Sequence, residues 1–179
     1  MNAKVLVTRW IGLLVAALVF LFDQLTKWYV TGPLGLNVQG DSITLLPIFD
    51  LQFVKNVGVS LGLLPASGEF MRWALVALTA GIAAGVAWWM AKEKKLPDVI
   101  ALGMVLGGAV GNILDRARLG YVVDFADLHF GTWRPFLVFN VADAAITIGV
   151  VILLFRALFV RDKTAQESGA PAVENEVNA

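Results

Sequence analysis

Four runs of apolar residues, each about as long as a bilayer is thick, constrain this chain more than any other feature. They are Trp10 to Val30, about Phe70 to Ala91, Pro97 to Leu114, and Phe139 to Val160. A hydrocarbon core about 30 Å thick needs roughly 17 to 25 residues of helix to cross it, and no other stretch of the 179 residues is both long and apolar enough. The first run resembles a secretory leader, with Lys4 and Arg9 ahead of it. It continues past leader length, however, and carries Asp23 and Lys27 where a small-residue cleavage site belongs, so it reads as a retained span. The expected fold is an all-α membrane protein, a four-transmembrane-helix bundle.

Lysine and arginine near the span ends set the orientation. Lys4, Arg9, Lys92, Lys94, Lys95, Arg156, Arg161 and Lys163 all fall on one side, which the positive-inside rule makes cytoplasmic. Both termini are then expected inside, and residues 31–69 and 115–138 form outer connections. In the first of these, polarity alternates with period two over Phe49 to Phe53, and Thr44, Val54 and Val57 favour strands. Gly32, Pro33, Gly35, Gly40 and Pro47 punctuate the same stretch. The second connection is aromatic from Tyr121 to Phe136 and turns at Gly131 to Pro135. Together they predict a small extracytoplasmic β-rich platform. Residues 1–160 are expected to make one membrane-embedded domain, while 161–179, rich in Gln, Glu, Ser and Asn, is expected to be a disordered cytoplasmic tail. No internal repeat is visible.

The 14 Lys and Arg balance the 14 Asp and Glu, so there is no basic footprint for nucleic acid. Without cysteine there can be no disulfide, thiolate zinc site or cysteine nucleophile. The only histidine, His129, lies near Asp127, and one histidine in a loop is too little to predict a metal centre; no metal or cofactor is expected.

Ionisable groups at membrane depth are costly, roughly 2.5–3.5 kcal/mol each at a helix centre, and here they gather at one end of the bundle. Asp23 and Lys27 lie near the outer end of the first span; Asn112, Asp115 and Arg116 close the third; Asp124 follows, and Asn140 and Asp143 open the fourth. Each also has a plain structural explanation. Asp23 and Lys27 fit a helix-surface ion pair, Arg116 could hold a carbonyl or a lipid phosphate, and Asp124 could be a turn residue. Asn140 fits an N-cap with Asp143 three residues on. Gly103, Gly107 and Gly111, with Gly108 beside them, suit close helix packing, and Gly108 also leaves room for a ligand backbone. What these explanations do not account for is the convergence on one level.

Two carboxylates held together share a proton, so that one can act as base on a water while the other donates to a scissile carbonyl. Asp124 and Asp143, each flanked by apolar residues, are the best pair. A Ser-Lys dyad of Ser60 with Lys27 or Lys55 remains open, as do a proton-coupled transporter and a glycine-packed scaffold protein.

Five stretches now carry a resemblance: Asp23 to Lys27 (DQLTK), Asn56 to Ser60 (NVGVS), Gly107 to Arg116 (GGAVGNILDR), Val122 to Phe125 (VVDF) and Phe139 to Asp143 (FNVAD). In order and spacing they are similar to the lipoprotein signal peptidase (signal peptidase II) family, over about residues 10 to 160. The resemblance implies an aspartic endopeptidase of the bacterial inner membrane that acts near the outer leaflet. Its substrates would be lipidated prolipoproteins, cut on the N-terminal side of the diacylglyceryl-cysteine. It makes Asp124 and Asp143 the catalytic pair, and gives Asp23, Lys27, Asn56, Asn112, Asp115, Arg116 and Asn140 supporting or substrate-contacting roles. Membrane lipid is the other expected partner, and the expected state is a monomer. Leu61 departs from the family, which more often has an aromatic there.

Overall fold

The computed structural model describes residues 3–58 and 69–159. Its order is α1 (Ala3–Thr31), β1 (Ser42–Leu46), β2 (Phe49–Asn56), α2 (Glu69–Lys92), α3 (Leu96–Leu119), β3 (Val122–Leu128) and α4 (Val141–Phe159). All four helices are long and apolar enough to cross a membrane, as the four apolar runs require. The expected tail, Ser60 and Leu61 lie outside the described residues.

α3 is the central helix. Half of its spanning stretch is buried, against 11–17% for the others, because α1, α2 and α4 all pack on it. Glycines let the backbones come this close. A Cβ on Gly103 would stand 2.5 Å from the Gly12 carbonyl oxygen of α1, one on Gly107 2.4 Å from that of Ala16, and one on Gly108 2.5 Å from that of Ala142 in α4. Small residues at four-residue spacing thus serve contact, the packing role that the sequence suggested. The outer faces of the helices carry Leu14, Leu18, Phe22, Leu25, Phe155 and other exposed apolar side chains, a surface suited to hydrocarbon.

Two boundaries differ most from expectation. α1 starts at Ala3, well before Trp10, and α3 runs five residues beyond Leu114 to Leu119. Asp115 and Arg116 are therefore helical and do not belong to the outer connection. Charge ends a membrane span but does not end a helix: Arg, Ala and Leu are good helix formers, and the turn stops only at Gly120, whose φ of 85° is the left-handed conformation glycine tolerates, with its N–H returning to the Arg116 carbonyl.

The platform is a three-stranded antiparallel sheet of order β1-β2-β3. Val30, Leu36, Phe53, Val123, Phe125 and Ala126 form its core, welding the sheet to the end of α1. A bridge between Ala126 and Phe139 runs along the free side of β3, and this brings the start of α4 beside Asp124.

Candidate active site

Seven polar or charged residues are buried among the described ones: Asp23, Lys27, Asn112, Asp115, Asp124, Asp127 and Asn140. All but Asp127 belong to one hydrogen-bonded cluster where α1, α3, β3 and α4 meet.

Lys27 is its cationic hub. Its Nζ lies 2.8 Å from Asp23 and 2.8 Å from Asp115, and donates to Asn112 Oδ1 at 3.1 Å. The i,i+4 pair that the spacing allows does form, yet it is enclosed by protein and not at a surface, with Asp23 fully buried. Asp23 Oδ1 accepts from the Ala142 N–H at 3.0 Å, so a carboxylate on α1 caps the first turn of α4. A Cβ on Gly111 would come within 2.6 Å of Asp23 Oδ2, which explains glycine there. Asp115 Oδ2 accepts from the Val123 N–H at 3.3 Å and so joins α3 to β3.

Asn140 joins the two candidate acids. Its Nδ2 donates to Asp124 Oδ1 at 2.7 Å, its Oδ1 accepts from the Asp143 N–H at 2.9 Å, and its own N–H donates to Asp143 Oδ2 at 3.3 Å. The last two bonds are a reciprocal N-terminal capping box. Asp143 is therefore a capping residue and also a neighbour of Asp124, and neither role excludes the other. Asn112 Nδ2 holds Asp143 Oδ1 at 2.8 Å, and Asn56 Nδ2 holds Asp124 Oδ2 at 2.9 Å. Each acid is thus gripped by asparagine amides that donate to it.

Burial pushes the Asp124 carboxyl up to about 6, and the nearby charge of Asp143 adds to this, while the Asn56 and Asn140 amides and Lys27 partly oppose it. Arg116 points its guanidinium into the same region. Its Nη1 reaches the Asn112 carbonyl only at 3.5 Å, and its enclosed Nε has no partner among the described residues.

Both acids open onto surface clefts. Asp143 borders an apolar groove lined by Phe136, Leu137, Phe139, Ala144, Thr147 and Ile148, and Asp124 borders one lined by Val54 to Gly58, Leu137 and Val138. Gly108 stands apart from these openings, at the α3–α4 crossing.

Two contributors were not singled out from the sequence. Gln24 Nε2 donates to Asp23 at 3.1 Å and to Asp115 at 3.0 Å; its place inside the DQLTK stretch was the available signal. Arg72 of α2 donates through Nε to the Arg116 carbonyl at 2.8 Å and through Nη2 to that of Ala117, satisfying the end of α3. An arginine opening a span carries no local sign of that role.

Four apolar helices under a small sheet, with acids, amides and cations buried where they meet, define a multi-pass membrane protein with a polar centre at one end of its bundle. Residues 15–159 match the family described as Signal peptidase (SPase) II. The lipoprotein signal peptidase of Rhizorhabdus wittichii is 56% identical over 165 residues, covering 92% of this chain and 95% of that protein. That of Sphingopyxis alaskensis is 53% identical over 163 residues, covering 91% and 94%. A bacterial membrane enzyme solved by the in meso method at 1.9 Å resolution superimposes with a TM-score of 0.72 at 29% identity, over 84% of this chain and 94% of that one. The chain belongs to the signal peptidase II family, which makes it a protease.

Proposed function

We infer that the protein is an aspartic endopeptidase that removes the signal peptide from lipid-modified prolipoproteins, with Asp124 and Asp143 as the catalytic pair. The observation that carries this reading is Asn140, which bonds to both acids at once and holds them at one level. A water between the carboxyls would lose a proton to the ionised one as its oxygen attacks the scissile carbonyl, while the protonated one donates to the carbonyl oxygen. The acid that took the water's proton then passes it to the leaving amine as the C–N bond breaks, while the other recovers its proton from a hydroxyl of the diol as the C=O bond re-forms, so that the pair again holds one proton. Asp124, pushed up to about 6, is suited to hold the shared proton. Neither cofactor nor metal is needed for these steps.

The remaining residues prepare that centre. Asn56 and Asn112 orient the two carboxyls. Asp23, Lys27 and Asp115 lock α1, α3, β3 and α4 together around them. Lys27 commits its three N–H donors to Asp23, Asp115 and Asn112, which disfavours it as the base of a serine mechanism. Arg116, with donors to spare, is suited to a substrate carbonyl. The apolar groove along α4 suits the signal-peptide helix or an acyl chain, and Leu137, 84% exposed, stands between the two clefts. The substrate's cleavage site, beside its lipidated cysteine, sits near the headgroups, so the acids must wait at the outer leaflet. With the charge distribution this supports an enzyme of the bacterial inner membrane with both termini in the cytoplasm.

The test is cleavage of a lipidated prolipoprotein by the purified protein in detergent. Release of the signal peptide from the diacylglyceryl form, and not from its unlipidated precursor, is the expected result. Failure to cleave either form would refute the assignment. Single cysteines at Ala3 and Thr132, in a chain with no native cysteine, should respectively escape and accept an impermeant thiol reagent in intact cells. The opposite pattern would invert the topology.

A further inference from the structure

One buried acid stays outside the cluster. Asp127 sits three residues beyond Asp124 on β3, so strand alternation turns it to the other face. There the antiparallel register sets it directly opposite Asp50 of β2. Two carboxylates facing each other across strands repel and destabilise the pair, and Asp127 is only 1% exposed. His129, two residues further on, returns to the same face, and its N–H still pairs with the Ile48 carbonyl. One donor atom from each of Asp50, Asp127 and His129 lies within 4.8 Å of the others.

The site is incompletely satisfied. Arg134 reaches both oxygens of Asp127, at 3.2 and 3.0 Å. Asp50 Oδ1 and His129 Nδ1 are also enclosed, yet neither has a hydrogen-bond partner among the described residues. His129 Nδ1 stands 3.8 Å from Asp127 Oδ2, too far for a hydrogen bond. Two of the three residues whose ligand atoms gather here thus carry an enclosed atom without a partner, an acceptor oxygen on Asp50 and an imidazole nitrogen on His129. A buried polar group without a partner is destabilising, and a cation would relieve both orphans and the repulsion together.

We propose that Asp50, Asp127 and His129 bind a divalent cation of the zinc type, which clamps β2 to β3. An imidazole with two carboxylates suits zinc better than calcium or magnesium, which prefer all-oxygen shells. At zinc's usual bond lengths the ligands of a tetrahedral site stand roughly 3.4 Å apart, so modest rotamer changes close the observed spread. Arg134 competes for Asp127 and, being half exposed, can swing out to solvent. In the sequence His129 has only Asp127 as a neighbour, too little for a metal; the strand register supplies Asp50. β2 and β3 also carry Asn56 and Asp124, so the clamp would steady the sheet that presents them. The proposal does not depend on the peptidase reaction, because the ion lies on the face of β3 away from Asp124.

The test uses the full chain in detergent, freed of any polyhistidine tag and stripped with chelator, titrated calorimetrically with zinc sulfate and separately with calcium chloride. One saturable zinc ion per chain is expected, with a rise in thermal midpoint, and no comparable calcium binding. Asp50→Asn and His129→Gln should each weaken zinc binding by at least about 10- to 100-fold, and Arg134→Gln should strengthen it several-fold by removing the competitor. Thermal midpoints in chelator report whether each variant still folds. No saturable zinc binding by the wild-type protein overturns the proposal, whatever the variants do. Zinc binding that survives in both Asp50→Asn and His129→Gln also overturns it, because the ion then sits elsewhere, and so does a preference for calcium.

Discussion

Replacing Asp124 with asparagine separates the chemistry of the site from its stability. A carboxyl moved from 3.8 to about 6 is disfavoured in its ionised form by about 3 kcal/mol, and at 2% exposure little of that is screened by solvent. Between those two values the folded protein keeps a proton that the unfolded chain has lost. Wild-type stability therefore falls as pH rises through this window, and the penalty is absent below 3.8. Asparagine does not titrate, so Asp124→Asn should gain on wild type by about 3 kcal/mol between pH 3.5 and pH 7. A constant cost opposes the gain. Asn56 and Asn140 both donate to Asp124, so an amide there turns its own NH2 against one of them, at about 1–3 kcal/mol. The net difference at neutral pH is thus small, while the pH slope is not. Thermal unfolding in detergent, measured for both proteins across this range, should show the variant's midpoint rising relative to wild type by roughly 5–10 °C. Cleavage of a lipidated substrate should fall about 10²–10⁴-fold over the whole range, because an amide cannot carry the shared proton. Parallel stability curves would show that Asp124 does not hold a proton near neutrality, and appreciable turnover would sink the paired-acid mechanism.

Asp143→Asn should fold with stability within about 1–2 kcal/mol of wild type, since asparagine can still serve the capping box with Asn140, yet it should not cleave. The double variant should be no worse than either single one; wild-type turnover in Asp143→Asn would reduce that residue to a cap. Arg116→Lys should insert and fold but lose roughly 10- to 100-fold in turnover, as a point charge replaces a fork of donors. Unchanged kinetics would confine Arg116 to a structural or lipid-anchoring part. Gly107→Val forces a Cβ to 2.4 Å from the Ala16 carbonyl oxygen, where only backbone can give way, and should lower stability by at least about 1–3 kcal/mol. An unaltered thermal midpoint would mean that α1 and α3 do not cross so closely.

The sequence by itself determined the solvent and the building blocks. Transfer of apolar side chains into hydrocarbon is a local, additive quantity, so four spans follow from Trp10 to Val30 and its three counterparts without any knowledge of contacts. Charge and resemblance likewise placed Asp23, Lys27, Asn112, Asp124, Asn140 and Asp143 at one level. Their partners were not legible. Asp23 caps the Ala142 N–H from 119 residues away, and nothing local at either position announces it. Asn140 shows only as an N-cap until the Ala126–Phe139 bridge brings β3 alongside and gives its amide Asp124 to hold. The end of α3 is decided in the same way: the apolar run stops at Leu114, but Lys27 and the β3 backbone await Asp115, so the helix can continue and keep it buried. Asp50 is one polar residue in an alternating strand until register sets it against Asp127. Hydrophobicity and helix propensity act over a few residues and can be read along the chain, whereas hydrogen bonds and buried charge depend on which distant groups packing brings within 3 Å, and only the tertiary structure decides that.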